Sequence, residues 1–598
     1  MACLTTTKIK NIMKSVNLTV LFVLIISLYS CTSKVTTQKI SIPEYQSKMK
    51  AGWLGQMAGV GWGAPTEFIF NGRIIPQEEI PVWEKDMINQ QEQDDIYVEM
   101  TFLKSLEDYG FDVSIRQAGI DFANSRYGLA HANEHGRHNL RLGIAPPHSG
   151  HPKYNRHADD IDYQIEADFS GLISPGMPNL VIELGEKFGR LMNYGDGVYG
   201  GQFVGAMYAK AFFEADINKI IESGLAAIPA ESQYAEAVRD VINWHKANPD
   251  DWQKTWQLIE NKYNLNPEYK KFNCSTGEDI DENIDAKING AYVVIGLLYG
   301  EGDLDKTIII SMRCGQDSDC NPSNAAGILA TSMGMEKLPE RYKTGIDIAT
   351  NFSFTAYNFP SLLEVCTKLA KKAVIREGGS IEKNAHGVDE FIIPVKEPLV
   401  PEVLQSWLPQ EITGNVHFSE EEMDKIKVKI RRPEDLVNIW NVAGPFSKDG
   451  IGGLDLFDVA FAPEKNSKYS EWQKMPVGVD DFEADFINLE RYFNVENSVA
   501  YLQTNVWIEN AQKVIFEIGS DDGIKVWLND KLVHQNNEER GHEQGQDIAE
   551  VNLEKGWNSI LLKVTQGEGG WGASLVICDM EGALIDGLKY STNELLVP

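Results

Sequence analysis

Adjacent carboxylates repel one another unless a cation or a shared proton lies between them, so paired acids at a helix start are where chemistry is sought first. Two such sites occur. Gln93-Asp94-Asp95 opens the stretch Ile96-Tyr97-Val98-Glu99-Met100, and Gly315-Gln316-Asp317-Ser318-Asp319-Cys320 runs into Asn321-Pro322-Ser323-Asn324. Asn321 suits a helix cap and Pro322 a first helical turn, so helix-end chemistry accounts for either pair taken alone. Taken together, Asp94, Asp95, Asp317 and Asp319 offer the hard oxygen ligands that Mg²⁺ or Mn²⁺ prefers. A thiol at Cys320 is an unusual ligand for such an ion.

A third element precedes them. Gly52, Gly55, Gly59 and Gly63 fall on helical spacing in Gly52-Trp53-Leu54-Gly55-Gln56-Met57-Ala58-Gly59-Val60-Gly61-Trp62-Gly63-Ala64-Pro65-Thr66-Glu67-Phe68. The pattern predicts a helix that lets another approach closely and then ends at a turn; no strand precedes it, which argues against a dinucleotide fingerprint. Glu67, just past the turn, is a candidate acid or base.

In this order and at these separations, the three elements resemble the ADP-ribosylglycohydrolase family over roughly residues 45–345. The resemblance implies an all-helical fold with a centre of one or two Mg²⁺ or Mn²⁺ ions that hydrolyses glycosidic bonds to ribose. The family's Gly-Asp turn with its following Glu corresponds to Gly59-Val60 through Glu67, its Thr-Asp-Asp-Thr to Gln93-Asp94-Asp95-Ile96, and its Asp-x-Asp-Thr to Asp317-Ser318-Asp319-Cys320. Gln93, Ile96 and Cys320 thus stand where the family has threonines that help hold metal, and Gln93 joins the four aspartates as a candidate ligand. The implied mechanism is attack by a metal-activated water on the anomeric carbon, with Glu67, Asp95 or Asp317 taking its proton. A two-carboxylate glycosidase without metal is the chemical competitor.

Six of the eleven histidines, His131, His135, His138, His148, His151 and His157, fall in a polar stretch read as a long loop over 129–163. Such a loop is one of three things: a pocket wall matched to sugar hydroxyls, a second metal site from His135 with Asp159 or Asp160, or a self-satisfied polar network. As a wall it would present His135, Asn139, His148, Asn155, His157 and Asp160, joined by Asp168 and by Asp196 in the glycine-rich Tyr194–Gly201 stretch.

The elements that must position these groups are helical from about 44 to 375, with helices expected at 47–59, 94–109, 201–214, 286–298 and 324–333. Residues 376–435 read as the end of the first domain plus a linker. After 436, runs such as Lys513-Val514-Ile515-Phe516-Glu517-Ile518 and Ser559-Ile560-Leu561-Leu562-Lys563-Val564 predict an all-β sandwich. Trp440–Phe446 and Gly519–Asn529 resemble the galactose-binding-like and related sandwich modules attached to bacterial glycan-degrading enzymes, which implies either a carbohydrate-binding module or a structural one packed against the catalytic domain. The fold class is therefore multidomain, an all-α catalytic domain followed by an all-β sandwich.

Residues 1–30 read as a signal peptide. Lys8, Lys10 and Lys14 precede the apolar run Val20–Leu28, and Ser30-Cys31 resembles a bacterial lipoprotein site that lipidates Cys31. Residues 31–43 would then be a tether, and the protein would sit anchored in the bacterial cell envelope, periplasmic or surface-exposed. The remaining cysteines are too sparse for a disulfide framework or a zinc motif. Across 598 residues, 55 Lys and Arg against 87 Asp and Glu leave a formal charge of -32, which disfavours nucleic acid as a partner. No obligate protein partner is evident. The sequence supports an exported, metal-dependent glycoside hydrolase acting on a glycan or glycoconjugate. The alternatives are an ADP-ribosyl-acceptor hydrolase and a non-catalytic glycan-binding lipoprotein.

Overall fold

The computed structural model describes residues 36–269, 283–401, 403–405, 409–465, 469–475 and 486–592. The signal peptide, Cys31 and most of the 266–285 loop lie outside these residues. No described helix is long and apolar enough to cross a membrane.

The helices that matter most are α1 (Ile42–Gly63), α2 (Asp94–Tyr109), α3 (His131–Arg141), α4 (Asp196–Ala211), α5 (Ala286–Tyr299) and α6 (Cys320–Lys337). Ser41 starts α1 by accepting from the Glu44 N–H at 3.3 Å, and Pro43 presets its first turn. From Ala51 to Gly63 every residue of α1 is buried, and α5 is buried along its whole length. Helices apolar on all sides belong in the middle of a domain, and both of these pack against α6.

The glycine stripe of α1 meets α6 as its spacing predicts. A Cβ at Gly52 would strike Thr331, one at Gly55 the Ala326 carbonyl, one at Gly59 the Pro322 carbonyl, and one at Gly63 the backbone of Ser318 and Asp319. The contact runs the length of both helices and ends at the acids. Backbones that touch cannot shift for an added methyl group, so the stripe fixes where Asp317 and Asp319 stand.

Two expectations need correction. Residues 31–43 are not a tether throughout: Thr37–Ser41 is a strand, paired antiparallel with Asp389–Pro394, which also pairs with Ser380–Lys383. Ile40, Phe391 and Ile393 are buried, so this small sheet covers apolar surface of the helical body rather than hanging free. The segment 129–163 is not a plain loop either, because α3 and a turn at His148–Gly150 occupy much of it. Its polar residues obscured the helix, since Asn133, Arg137 and Asn139 share the buried face with Ala132, Gly136 and Leu140.

The C-terminal part is a sandwich of antiparallel sheets. One runs in the order 531–536, 524–528, 556–566, 498–508, 441–446 and 473–474; the other runs 547–553, 512–521, 572–578 and 487–488. Val514, Phe516 and Ile518 alternate inward on one sheet, facing Ile560, Leu562 and Val564 on the other, and Leu562 pairs across to Leu502 and Val526. Trp440 and Trp571 are buried in the same core.

The linker packs on the helical body, and the sandwich touches that body directly. Residues 416–418 pair with Gly143 and Ala145, and Arg116 holds Glu422 through two bonds of 2.6 Å. From the sandwich, Glu543 reaches Arg137 and Arg141 on α3, and Arg126 donates to the Gly545 carbonyl at 3.2 Å.

Candidate metal centre

The turn after α1 carries Glu67. Thr66 Oγ1 donates to the Gly63 carbonyl at 2.9 Å and pairs with Ser318 Oγ at 2.8 Å. Phe68 N–H donates to the Gln316 carbonyl at 3.1 Å, while Gln316 N–H donates to Phe70 O at 3.3 Å. Gly315 and Gln316 bend through positive φ to make this pairing, and a side chain at 315 would meet the Phe70 and Arg73 carbonyls. Two segments some 250 residues apart are thereby pinned side by side.

The result is an acid cluster. Ligand atoms of Glu67, Asp317 and Asp319 lie within 4.8 Å of one another, as do those of Asp95, Asp319 and Cys320. Asp95, Asp317 and Asp319 are 0%, 2% and 1% exposed, while Glu67 and Asp94 are half-buried at the mouth. Burial pushes the carboxyl of Asp317 up to about 8, with Glu67 and Asp95 adding to the shift. Asp95 and Asp319 are pushed well above the usual carboxylate range, first by burial and then, for Asp95, by Asp319 and Asp94 and, for Asp319, by Asp317 and Asp94.

A divalent cation fits these residues. Among the described residues, Asp95 Oδ1 and Asp319 Oδ1 are buried without a hydrogen-bond partner, the situation a cation would resolve. The donor set is all carboxylate oxygen apart from the thiol, which suits Mg²⁺ or Mn²⁺. Cys320 has a different part. Burial raises its thiol well above its ordinary value, and the protonated Sγ donates to Asp95 Oδ2 at 3.1 Å. It holds the Asp95 carboxylate in place.

Asp94 falls outside both groups of ligand atoms. Gln93 precedes the first turn of α2 with no capping bond from its side chain, and Asp94 Oδ1 accepts from the Asp95 N–H at 3.1 Å. The Asp94 charge still reaches Asp319 and helps to raise it.

A second layer of acids lies behind the first. Glu99, one turn after Asp95, accepts from Gln56 Nε2 and Phe169 N–H, both at 2.7 Å. Asp168, pushed up to about 8 by burial, accepts from Tyr208 at 2.7 Å and Asn324 at 2.9 Å. Glu166 and Asp162 are tied to Asn133 of α3, the latter by a backbone bond of 2.8 Å. Glu99 and Asn324 were not singled out in the sequence, although each is four residues beyond a cluster residue on its own helix, which puts it on the same face.

Of the expected sugar-binding residues, several are scaffold. Asn139 donates to the carbonyls of Ser149 and Tyr154, and Asn155 to those of Ala132 and Met192, so their amides serve the chain itself. His148 lies in the turn that faces residues 410–413, alongside His151, which bonds the Gln410 carbonyl. Asp196 starts α4 and accepts from Tyr234 N–H, and Asp168 is the buried acid just described. Sequence shows polar residues but not which backbone groups consume them.

What remains is a histidine group. His157 Nδ1 bonds Asp160 Oδ2 at 2.7 Å, its ring lies 4.5 Å from that of His135, and His131 is 5.5 Å from it on the other side. Ligand atoms of His131, His157 and Asp160 lie within 4.8 Å, so the cluster forms around His131 rather than around His135 and Asp159. Phe68, next to Glu67, meets His131 edge-on at 6.4 Å, placing this wall beside the acid cluster.

A family model described as ADP-ribosylglycohydrolase matches residues 41–374. Among solved structures the chain is similar to an "ADP-ribosylglycohydrolase-related protein complex", at 13% identity and a TM-score of 0.36 over 55% of this chain and 99% of that one. It is also similar to a β-glucosidase from Kluyveromyces marxianus, at 14% identity and a TM-score of 0.15 over 44% of this chain and 34% of that one. No curated protein matches. The family match spans more than half of the chain, over the helical body that carries the acid cluster, and the chain belongs to the ADP-ribosylglycohydrolase family of glycosyl-bond hydrolases.

Proposed function

We propose that the protein is an exported, lipid-anchored, metal-dependent hydrolase of a glycosidic bond in a glycan or glycoconjugate. The observation that carries the reading is the pair of buried, unpartnered oxygens, Asp95 Oδ1 and Asp319 Oδ1, in a cluster that Glu67 joins from the solvent side.

Asp95, Asp317 and Asp319, with Glu67 at the edge, would hold Mg²⁺ or Mn²⁺. When bound, the ion supplies positive charge against the developing negative charge and polarises the oxygens it touches. Every other part of the mechanism belongs to the chain. Cys320 fixes the Asp95 carboxylate, and Thr66 with Ser318 fixes the approach of Glu67 to Asp317. Glu67, the half-buried acid of the group, takes the proton of the water that attacks the anomeric carbon. His131 stands at the wall as a neutral ring, since burial lowers it to about 4, and so presents a donor or acceptor to hydroxyls without charge, while His157 behind it is held at both nitrogens, Nδ1 by Asp160 and Nε2 by Arg156.

The signal-like N-terminus and Cys31 support export, and the attached sandwich supports a polymeric or conjugated sugar. The family match itself favours a second reading, an ADP-ribosyl-acceptor hydrolase. Product release from plant and host polysaccharides, their oligosaccharides and ADP-ribosylated protein, each with Mg²⁺ and Mn²⁺, separates them. Release of sugar that stops on chelation and returns with metal supports the proposal; release of ADP-ribose alone supports the second reading. Activity that survives exhaustive chelation overturns the metal route.

A further inference from the structure

Asp94, Tyr97, Thr101, Lys104 and Asp108 follow one another at three- and four-residue steps along α2, so they share a face. At 1.5 Å per residue, Thr101 stands about 10 Å along the axis from Asp94, and Asp108 about 21 Å. A cavity of about 490 Å³ opens along that face, lined by Thr101, Lys104 and Asp108 on one side and by Asp121, Arg126 and Phe354 on others. Its volume is in the range of small-molecule sites.

Phe354 is the unusual member. It is 51% exposed, and its backbone is left-handed at φ 60, a conformation an aromatic residue adopts at a cost. The turn that holds it is closed by Phe352 N–H donating to Tyr357 O at 2.8 Å, with Phe352 and Tyr357 buried as anchors and Phe354 at the tip. Tyr97 and Tyr127 support the ring edge-on at 6.1 and 6.2 Å. Ser353 N–H donates to the Gln91 carbonyl at 2.8 Å, which ties the turn to the segment that leads into Asp94. Packing alone gives no reason to keep a large apolar ring half in water on a strained backbone.

The charges along the cavity balance. Lys104 and Arg126 stand against Asp108 and Asp121, and Lys104 pairs with Asp108. A site with donors and acceptors of both signs and no net charge suits a neutral polyhydroxyl ligand, and it gives a pyrophosphate no positive field. An exposed ring supplies the apolar platform on which the C–H face of a sugar rests.

We propose that this cavity is a saccharide subsite, in which Phe354 stacks on a neutral sugar unit further along the same chain whose bond is cleaved at the acid cluster. The inference rests on the hydrolase reading above and narrows its substrate to neutral glycan chains of at least two units.

The test uses the full chain in EDTA, so that binding is read without turnover. Neutral gluco-, xylo- and galacto-oligosaccharides of two to six units are titrated by saturation-transfer NMR against wild type, Phe354→Gly and Phe354→Trp. Glycine relieves the backbone, so Phe354→Gly is expected to melt at or above the wild-type temperature while binding at least one series tenfold or more weakly; Phe354→Trp is expected to keep the affinity. Phe354→Gly binding within twofold of wild type overturns the subsite, and so does a wild type that engages none of the series. Loss of ADP-ribose binding in Phe354→Gly with oligosaccharide binding intact also overturns it. Adding Mg²⁺ or Mn²⁺ then separates the two claims. Oligosaccharides that bind through Phe354 and are never cleaved leave the subsite standing and overturn the hydrolase reading; cleavage indifferent to Phe354→Gly does the reverse.

Discussion

The carboxylate of Glu543, on a sandwich loop, grips the Arg137 guanidinium of α3 with both oxygens at 2.6 Å. Arg137 is 1% exposed and also donates to the Tyr127 carbonyl at 2.8 Å and to Ser125 Oγ at 3.0 Å. The same helix presents His131 and Asn133, and Asn133 holds Asp162 and Glu166 behind the acid cluster. The sandwich is therefore structurally continuous with the site, whatever it binds elsewhere.

Removing one partner of a fully buried ion pair costs about 3–5 kcal/mol, and here Arg137 is 1% exposed while Glu543 is 25% exposed. Glu543→Ala is expected to lower stability by roughly the lower end of that range, because Arg137 keeps two other acceptors, and Glu543→Gln by less. Calorimetric unfolding reads it. A Glu543→Ala protein that melts within a degree of wild type would show that the sandwich does not brace α3.

Asp319 belongs to both groups of ligand atoms, so it is the residue whose loss most disrupts the centre. Asp319→Asn preserves shape while removing the charge. Mn²⁺ binding, followed by the spectrum of the free ion, is expected to weaken at least a hundredfold, with hydrolysis falling by a similar or larger factor. In the metal-free state the variant should be no less stable than wild type, since one of several mutually repelling acids has gone. Unchanged Mn²⁺ affinity would move the centre elsewhere.

Much of this site was legible as sequence because its parts are local patterns. The glycine stripe at 52, 55, 59 and 63 states a helix contact, and paired acids at 94–95 and 317–319 state an anionic pair of helix starts. The alternation of Val514, Phe516 and Ile518 states a half-buried strand in the same way. Long-range pairings were not legible. Nothing local joins Phe68 to Gln316 or Glu543 to Arg137, and the strand at 37–41 finds its partner some 350 residues on, at 389–394. The loop amides misled for a related reason. Asn139 and Asn155 look like ligand-binding groups until their carbonyl partners are seen.

Cys320 occupies the place where a threonine was anticipated, and it keeps a hydrogen-bond donor on Asp95. Cys320→Ser retains a donor and is expected to hold Mn²⁺ within a few-fold of wild type. Cys320→Val retains the bulk and loses the donor, which leaves Asp95 free to turn; loss of such an outer partner costs about 10–100-fold in metal affinity. The comparison of the two variants by calorimetric titration is the measurement. Equal affinities would mean that the thiol fills space and nothing more.

The pH dependence of stability follows from groups displaced in opposite directions. Asp317 and Asp168 are raised to about 8, so each favours folding fully below its unfolded value near 4 and loses that contribution as pH rises through about 8. His131 and His157 are lowered to about 4 and about 3, so they favour folding above their unfolded value near 6.5 and lose it as pH falls. The two effects oppose each other between about pH 4 and 6.5, and only the acids act between about 6.5 and 8. In EDTA the melting temperature is therefore expected to fall across that upper window, by on the order of a few degrees. Cation binding needs these carboxylates deprotonated, so the stabilisation by saturating Mn²⁺ should grow with pH over the same window and flatten or reverse the slope. Thermal melts at half-unit steps from pH 6 to 8.5, with EDTA and with Mn²⁺, read both curves. A metal-free melting temperature that rises from pH 6.5 to 8, or a Mn²⁺ increment independent of pH, would mean that the buried acids are already charged without the ion.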